Sequence, residues 1–372
     1  MLFSGAVGAQ TPPLSGRSGP AAAPCAPHLL RTLRWGAGRP DLVRFNRVEG
    51  LSLGVRGQVL LQPCRNPLSL TAVVRSGTAM PHPSARLEAA RENLRRRVAV
   101  SVYHELTEVQ EEAGNLDVDN SLTALLGRDD GEYYRRTGMS AEVIPPTARP
   151  RRYTLRAYAE RHSGVVSRAG WRLQDPLEFD RSPRENVQPQ EGWELGLLGE
   201  LRRRWGRDPL RFQSGAEVLL HGAIHGEPFL RARLRGGLRL PLVWGIRLEG
   251  EGAAGGILGD APVQRVWWLG GPHSVRGSAP GVRRGKAFLR GRAALVRRIL
   301  FGDVALFADR GWAGGGAAGV LGGTTATQSP EGAISSAGIG LRFLGGMIHV
   351  DWVLLTRGAP GRRAEAYLDA LP

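Results

Sequence analysis

The chain has 372 residues, with 50 Lys and Arg against 34 Asp and Glu, a formal charge of +16, 42% apolar residues and 52 glycines. It is too apolar for a disordered polymer, and no stretch approaches the roughly 18 uninterrupted apolar residues of a membrane helix, which excludes a helical membrane protein. Lys286 is the only lysine, and the arginines are scattered over many segments instead of forming one stripe, so the charge points to no nucleic-acid partner.

Residues 1–40 are rich in Pro, Gly, Ala and Ser, show no period, and read as a flexible N-terminal extension. In "MLFSGAVGAQTPPL", Val7 and Ala9 are spaced as before a secretory cleavage point, without a basic region or a full apolar core. The remnant of an export signal and a plain disordered N-terminus both fit. Cys25 lies in this tail and Cys64 in a Pro/Asn turn, which excludes a disulfide scaffold and offers no metal-ligand spacing.

Residues 41–372 read as one domain with a period of two. "LSLGVRGQV" sets Leu51, Leu53, Val55 and Val59 on one face and Ser52, Arg56 and Gln58 on the other. Leu68, Leu70, Ala72 and Val74 then oppose Ser69, Thr71 and Arg75, and Tyr153, Leu155, Ala157 and Ala159 oppose Thr154, Arg156, Tyr158 and Glu160. In "LRARLRGGLRL", Leu230, Ala232, Leu234, Leu238 and Leu240 face one way and Arg231, Arg233, Arg235 and Arg239 the other. Candidate strands centre near residues 55, 71, 87, 100, 138, 156, 198, 216, 234, 248, 291, 306, 338, 351 and 367. "NSLTALLGRDDGEYY" reads as a short helix capped by Asn120 or Ser121.

Two architectures have such strands. A soluble sandwich buries its apolar faces against each other, whereas a transmembrane barrel turns them to lipid and lines its lumen with the polar ones. Strand length and tryptophan placement favour the barrel: in "WELGLLGELRRRW", Trp193 and Trp205 lie in phase with Leu195, Leu197 and Leu201, as for two interfacial belts. Arg203 on that face must then snorkel. The opposite faces carry charges of both signs, which suits a wet lumen and not a dry core. The fold class expected is therefore all-β, a transmembrane antiparallel β-barrel. Sixteen strands are expected, an even number, with fourteen or twelve as the alternatives. Short turns such as Gly345–Gly346 alternate with long polar loops such as "SGVVSRAGWRLQDPLEFDRSPRENVQPQEG", an asymmetry typical of outer-membrane barrels.

One insertion breaks the pattern: "WWLGGPHSVRGSAPGVRRG", Trp267 to Gly285, is basic and turn-rich between two alternating runs. Its "LGGPHSVRGSAPG" resembles the sixth-loop motif of the bacterial surface antigen superfamily, the BamA- and TamA-like assembly and translocation barrels. In that family a Val-Arg-Gly tip folds into the lumen and its arginine meets the aspartate of a Phe-x-Asp-x-Gly motif on a following strand. Val275, Arg276 and Gly277 match the first motif, and Phe307, Asp309 and Gly311 of "FADRG" the second. An arginine inside a lumen needs a fixed carboxylate, and a two-pronged guanidinium holds a loop better than an ammonium would. "RFNRVEGLSLG" is similar to the first-strand opening of relatives, and "ISSAGIGLRF" with "GGMIHVDWVLL" to their closing hairpin.

The chain departs from the family in three places. Ser278 stands where relatives place an aromatic, "AEAYLDALP" lacks a terminal aromatic and leaves Tyr367 or Leu371 in that role, and the N-terminal extension is too short for one periplasmic transport-associated module. The last departure implies either a truncated chain or one that works without such modules.

The resemblance implies an outer-membrane location, contact with outer-membrane lipid, and insertion of outer-membrane proteins or translocation of polypeptides. Its partners would be unfolded outer-membrane clients and periplasmic accessory proteins. Its mechanism would be a weak seam between the first strand, at Leu51, Leu53 and Val55, and the last, at Tyr367 and Leu371. A passive pore, or a membrane anchor for a separate module, is the alternative.

No enzyme, cofactor or metal is expected. His221 and His225 in "HGAIHG" would form a metal face on a helix but lie too far apart on a strand. His349 and Asp351, with no serine elbow near, read as lumen lining, and Trp267–Trp268 as the rim where a strand leaves the lipid interface.

Overall fold

The computed structural model describes residues 30–35, 42–61, 67–80, 82–110, 116, 121, 124, 129–147, 152–170, 183–206, 212–315, 332–346, 348–358 and 364–368. In chain order the strands are β1 (Leu30–Trp35), β2 (Val43–Asn46), β3 (Gly50–Leu60), β4 (Leu68–Gly77), β5 (Ser84–Glu92), β6 (Arg97–Glu108), β7 (Tyr133–Ile144), β8 (Tyr153–Ser163), β9 (Gly192–Trp205) and β10 (Gln213–His225). Then come β11 (Glu227–Pro241), β12 (Ile246–Gly259), the short β13 (Trp267–Leu269) and β14 (Arg283–Gly285), and β15 (Ala287–Ile299), β16 (Gly302–Gly314), β17 (Gly332–Phe343), β18 (Ile348–Arg357) and β19 (Ala364–Leu368). Apart from β13 and β14, which form a ladder of their own, all belong to one antiparallel sheet in which each strand from β2 onward pairs with the next in sequence. Every strand centre read from the sequence falls inside a strand of this meander.

The remaining strand is described in two pieces on one edge: β1 pairs with Val55–Leu60 of β3, and β2 with Gly50–Leu53. Just before β2, the Leu42 carbonyl accepts the Gly54 N–H at 2.6 Å. Six residues assigned to the flexible extension by composition therefore run as strand. The sheet is not closed: among the described residues no register joins β19 to β1 or β2.

Polarity across the sheet is inverted relative to a soluble sandwich. Leu51, Leu53 and Val55 point outward and exposed, with Ser52 buried between them. On β9, Trp193, Leu195, Leu197 and Leu201 are each 60% exposed or more, while Glu194 is 1% exposed. Arg203 lies on that outer face with its guanidinium 5.3 Å from the Trp205 ring, the snorkelling geometry expected at a belt. Inside, carboxylates meet arginines: Glu105 takes Arg86 and Arg136, Glu251 takes Arg235 and Arg290, and Glu249 takes Arg342.

The long loops share one end of the strands. There the buried Arg47, in the β2–β3 turn, donates to Asn186 Oδ1 (3.0 Å), Glu132 Oε2 (3.2 Å) and the Asp129 carbonyl (3.2 Å), stitching three loops together. The turn is built by "RFNRVEG": Asn46 Oδ1 accepts the Val48 and Glu49 N–H groups, and Arg44 grips Glu49 through two bonds of 2.6 and 2.8 Å. Ser121 and Ala124 are helical, and Ser121 Oγ accepts the Phe45 N–H; Asn120 and most of that segment lie outside the described residues.

Candidate functional site

The insertion between β12 and β15 turns into the lumen. Its two arms pair as β13 and β14, and its base packs on the inner face of the wall: Trp267 is buried against Phe288, ring centroids 4.6 Å apart, with the Arg231 guanidinium 3.8 Å from the indole centroid. This corrects the reading of Trp267–Trp268 as a lipid-facing rim. An indole in an inward loop has the apolar inner patch of Ala253, Ile257 and Phe288 to cover, and it buries more surface there than at a rim. Trp268 is half-buried and donates to the Val263 carbonyl at 3.1 Å.

The tip holds Val275, Arg276 and Gly277. Arg276 grips Asp309 through Nε to Oδ2 at 2.7 Å and Nη2 to Oδ1 at 2.8 Å, and its backbone N–H adds a third bond to Oδ2 at 3.1 Å. Both residues are buried, which strips away competing water and makes the fork directional. The Phe307 ring lies under the guanidinium, 3.7 Å from its centre.

Two glycines make room for this contact. Gly277 has φ of +76° and a Cβ there would fall 2.7 Å from Val353 methyls; a Cβ on Gly311 would fall 2.9 Å from Val275 Cγ2. Ser278, at the position of the expected aromatic, closes the tip by donating from Oγ to the Val275 carbonyl at 2.5 Å.

The contact extends beyond the two motifs. Arg276 Nη1 also lies 3.5 Å from Asp351 Oδ2 on β18, and that oxygen accepts the Tyr367 hydroxyl of β19 at 2.9 Å. Tyr367 stacks on His349, centroids 4.9 Å apart, and meets His273 of the loop edge-on at 5.6 Å. The loop tip is thus linked through one carboxylate to the last described strand. Asp351, read from the sequence as mere lumen lining, belongs to this relay; its one signal was its place on the inward face of the penultimate strand.

The chain superposes on BamA from Haemophilus ducreyi lacking POTRA domains 1–3 with a TM-score of 0.55 and 12% sequence identity, over 91% of this chain and 69% of that one. The fold is that of a BamA-type barrel. Likeness to CdiB from Acinetobacter baumannii is lower, with a TM-score of 0.39 and 12% identity over 87% of this chain and 57% of that one. No protein-family model and no curated protein matches the sequence.

In this BamA-type barrel the edge strand lies earlier than Leu51, Leu53 and Val55. Those residues sit on β3, both of whose edges are occupied, by β1 and β2 on one side and by β4 on the other. The open edge belongs to β1 and β2. Alternation made β3 the first legible strand because the described strand residues before it, Leu30–Trp35 and Val43–Asn46, lie in a Pro- and Gly-rich stretch and are too few in each piece to display a period. Tyr367 does lie on the last described strand, and Leu371 falls outside the described residues.

A second inward cluster went unread. Glu160, His162, Glu194, His225 and Arg265 are all buried in the lumen, drawn from β8, β9, β10 and the base of the inward loop. No sequence spacing could reveal it, since each strand contributes at most two of its members.

Proposed function

We propose that this barrel resides in the outer membrane of a Gram-negative type bacterium and inserts outer-membrane proteins or passes polypeptides across that membrane. The observation that carries this reading is the relay from Arg276 through Asp351 to Tyr367, which couples the inward loop to the last described strand. Among the described residues that strand pairs on one side only, with β18, and β1 and β2 pair on one side only, with β3. Unsatisfied edge groups template an incoming strand. The client would pair at this seam while the loop holds the last strand in register. Unfolded outer-membrane chains and periplasmic accessory proteins are the partners, lipid is the solvent of the outer face, and no residue has a catalytic role.

The test is a lock across the seam. Cysteines at Val43 of β2 and Ala366 of β19, in a chain with Cys25→Ser and Cys64→Ser, are oxidised in proteoliposomes and the insertion of an unfolded barrel client is followed. Insertion should cease in the cross-linked protein and return on reduction. Undiminished insertion by a fully cross-linked sample would sink the proposal.

A further inference from the structure

We propose that the lumen contains a binding site for a zinc-type divalent ion, formed by His162 of β8, Glu194 of β9 and His225 of β10. The strand registers bring the three side chains together: Glu160 stands opposite Glu194, and the β9–β10 ladder ends at Leu195 and Ile224, which sets His225 beside Glu194 on the inward face. All three are buried.

Glu194 Oε2 lies 3.6 Å from His225 Nδ1 and 4.0 Å from His162 Nδ1, and the three donor atoms fall within 4.8 Å of one another. Both distances are too long for hydrogen bonds. They are close to the donor separation of about 3.3 Å that follows from tetrahedral bonds of about 2.0 Å. Glu194 Oε2 has no hydrogen-bond partner, and for hydrogen bonding the His225 ring meets only the Gln190 backbone, outside normal hydrogen-bond geometry. Buried groups left so are costly, and the two that face the gap, Glu194 Oε2 and one ring nitrogen of His225, are accounted for by a cation between them.

The surroundings support the assignment. Glu160 Oε1 lies 3.0 Å from His162 Nε2, the carboxylate–imidazole pairing that orients a metal-bound histidine and turns its other nitrogen to the ion. Arg265 occupies Glu194 Oε1 at 2.7 Å, so one carboxylate oxygen remains for the ion. Two imidazoles and a single carboxylate oxygen suit zinc and its neighbours and leave a fourth place for water, whereas calcium and magnesium need more oxygens. One group competes: Gln264 Nε2 stands 3.0 Å from His162 Nδ1 and would have to yield. Because Arg265 belongs to the base of the inward loop and holds Glu194 Oε1, a bound ion would join three neighbouring strands to that loop.

The test uses the full chain refolded in detergent, stripped with a chelator and titrated with Zn²⁺ against a chromogenic competitor; gel migration before and after boiling verifies that each variant is folded. One equivalent should bind, and Co²⁺ in its place should show tetrahedral absorption bands. His225→Phe should weaken binding by more than the about tenfold typical of losing an outer-shell partner, His104→Ala on β6 should leave it unchanged, and Gln264→Ala should tighten it by freeing His162 Nδ1. Absence of one-equivalent binding, or equal affinity in His225→Phe and the parent chain, overturns the proposal. If His225→Phe does not fold, Gln264→Ala decides: tighter binding supports the site, and unchanged or weaker binding removes it.

Discussion

Arg276 fills its role because its guanidinium serves two acids at once, with a two-pronged grip on Asp309 and a single approach to Asp351. Arg276→Ala leaves Asp351 without this cation and Asp309 with only Arg292, at 3.7 Å, and a loss of about 3 kcal/mol in urea-unfolding stability is expected, the usual scale for breaking a buried pair. Arg276→Lys should recover only part of it, because an ammonium cannot form the fork; full recovery would show that charge alone matters. Glu49 supplies a pH test outside the strands. Its burial opposes ionisation, yet Arg44 and then Asn46 outweigh that and hold its pKa below the ordinary 4.5. A carboxylate with a lowered folded-state pKa stabilises above its unfolded value and loses that contribution as pH falls through the folded one. Unfolding midpoints taken down from pH 7 should therefore drop less steeply below about pH 4.5 in Glu49→Gln than in the parent chain.

At the scale of elements, the outer faces of the strands are the lipid contact. Leu197, near the middle of β9 and 68% exposed, should cost about 2–4 kcal/mol when changed to Arg, measured by folding into lipid vesicles. A cost near zero would place that face in water. Period-two alternation made the strands legible, since lipid and lumen enforce it on every turn of the pleat. It was lost at β1 and β2, where the stretch around them is Pro- and Gly-rich and each described piece has too few residues to display a period. Trp267 was misplaced for a related reason. A tryptophan beside a strand suits either a membrane belt or a packed loop, and sequence does not show which way a loop turns.

For the whole molecule, the inward loop is held on the inner face of the wall and Arg47 ties three loops together at the long-loop end. Single-channel recordings in planar bilayers should show low conductance for the parent chain and more frequent large openings for Arg276→Ala; equal traces would mean the loop does not obstruct. Arg47→Ala should expose the β6–β7 and β8–β9 loops to limited proteolysis, because the ties to Asp129, Glu132 and Asn186 are lost together. The loop-to-wall contact was legible because its two motifs are contiguous and occur in order. The buried His162–Glu194–His225 cluster was not, since only strand register brings those residues near one another.

The meander also determines the order of assembly. Every ladder from β2 to β19 joins strands adjacent in the meander, so each pairing forms between neighbouring segments of the chain and contact order stays low even where the connecting loop is long. The join between the last strand and the first has partners from opposite ends of the chain and gains nothing from proximity in sequence. It should be the last contact to form as the barrel folds and the first to part when it is strained.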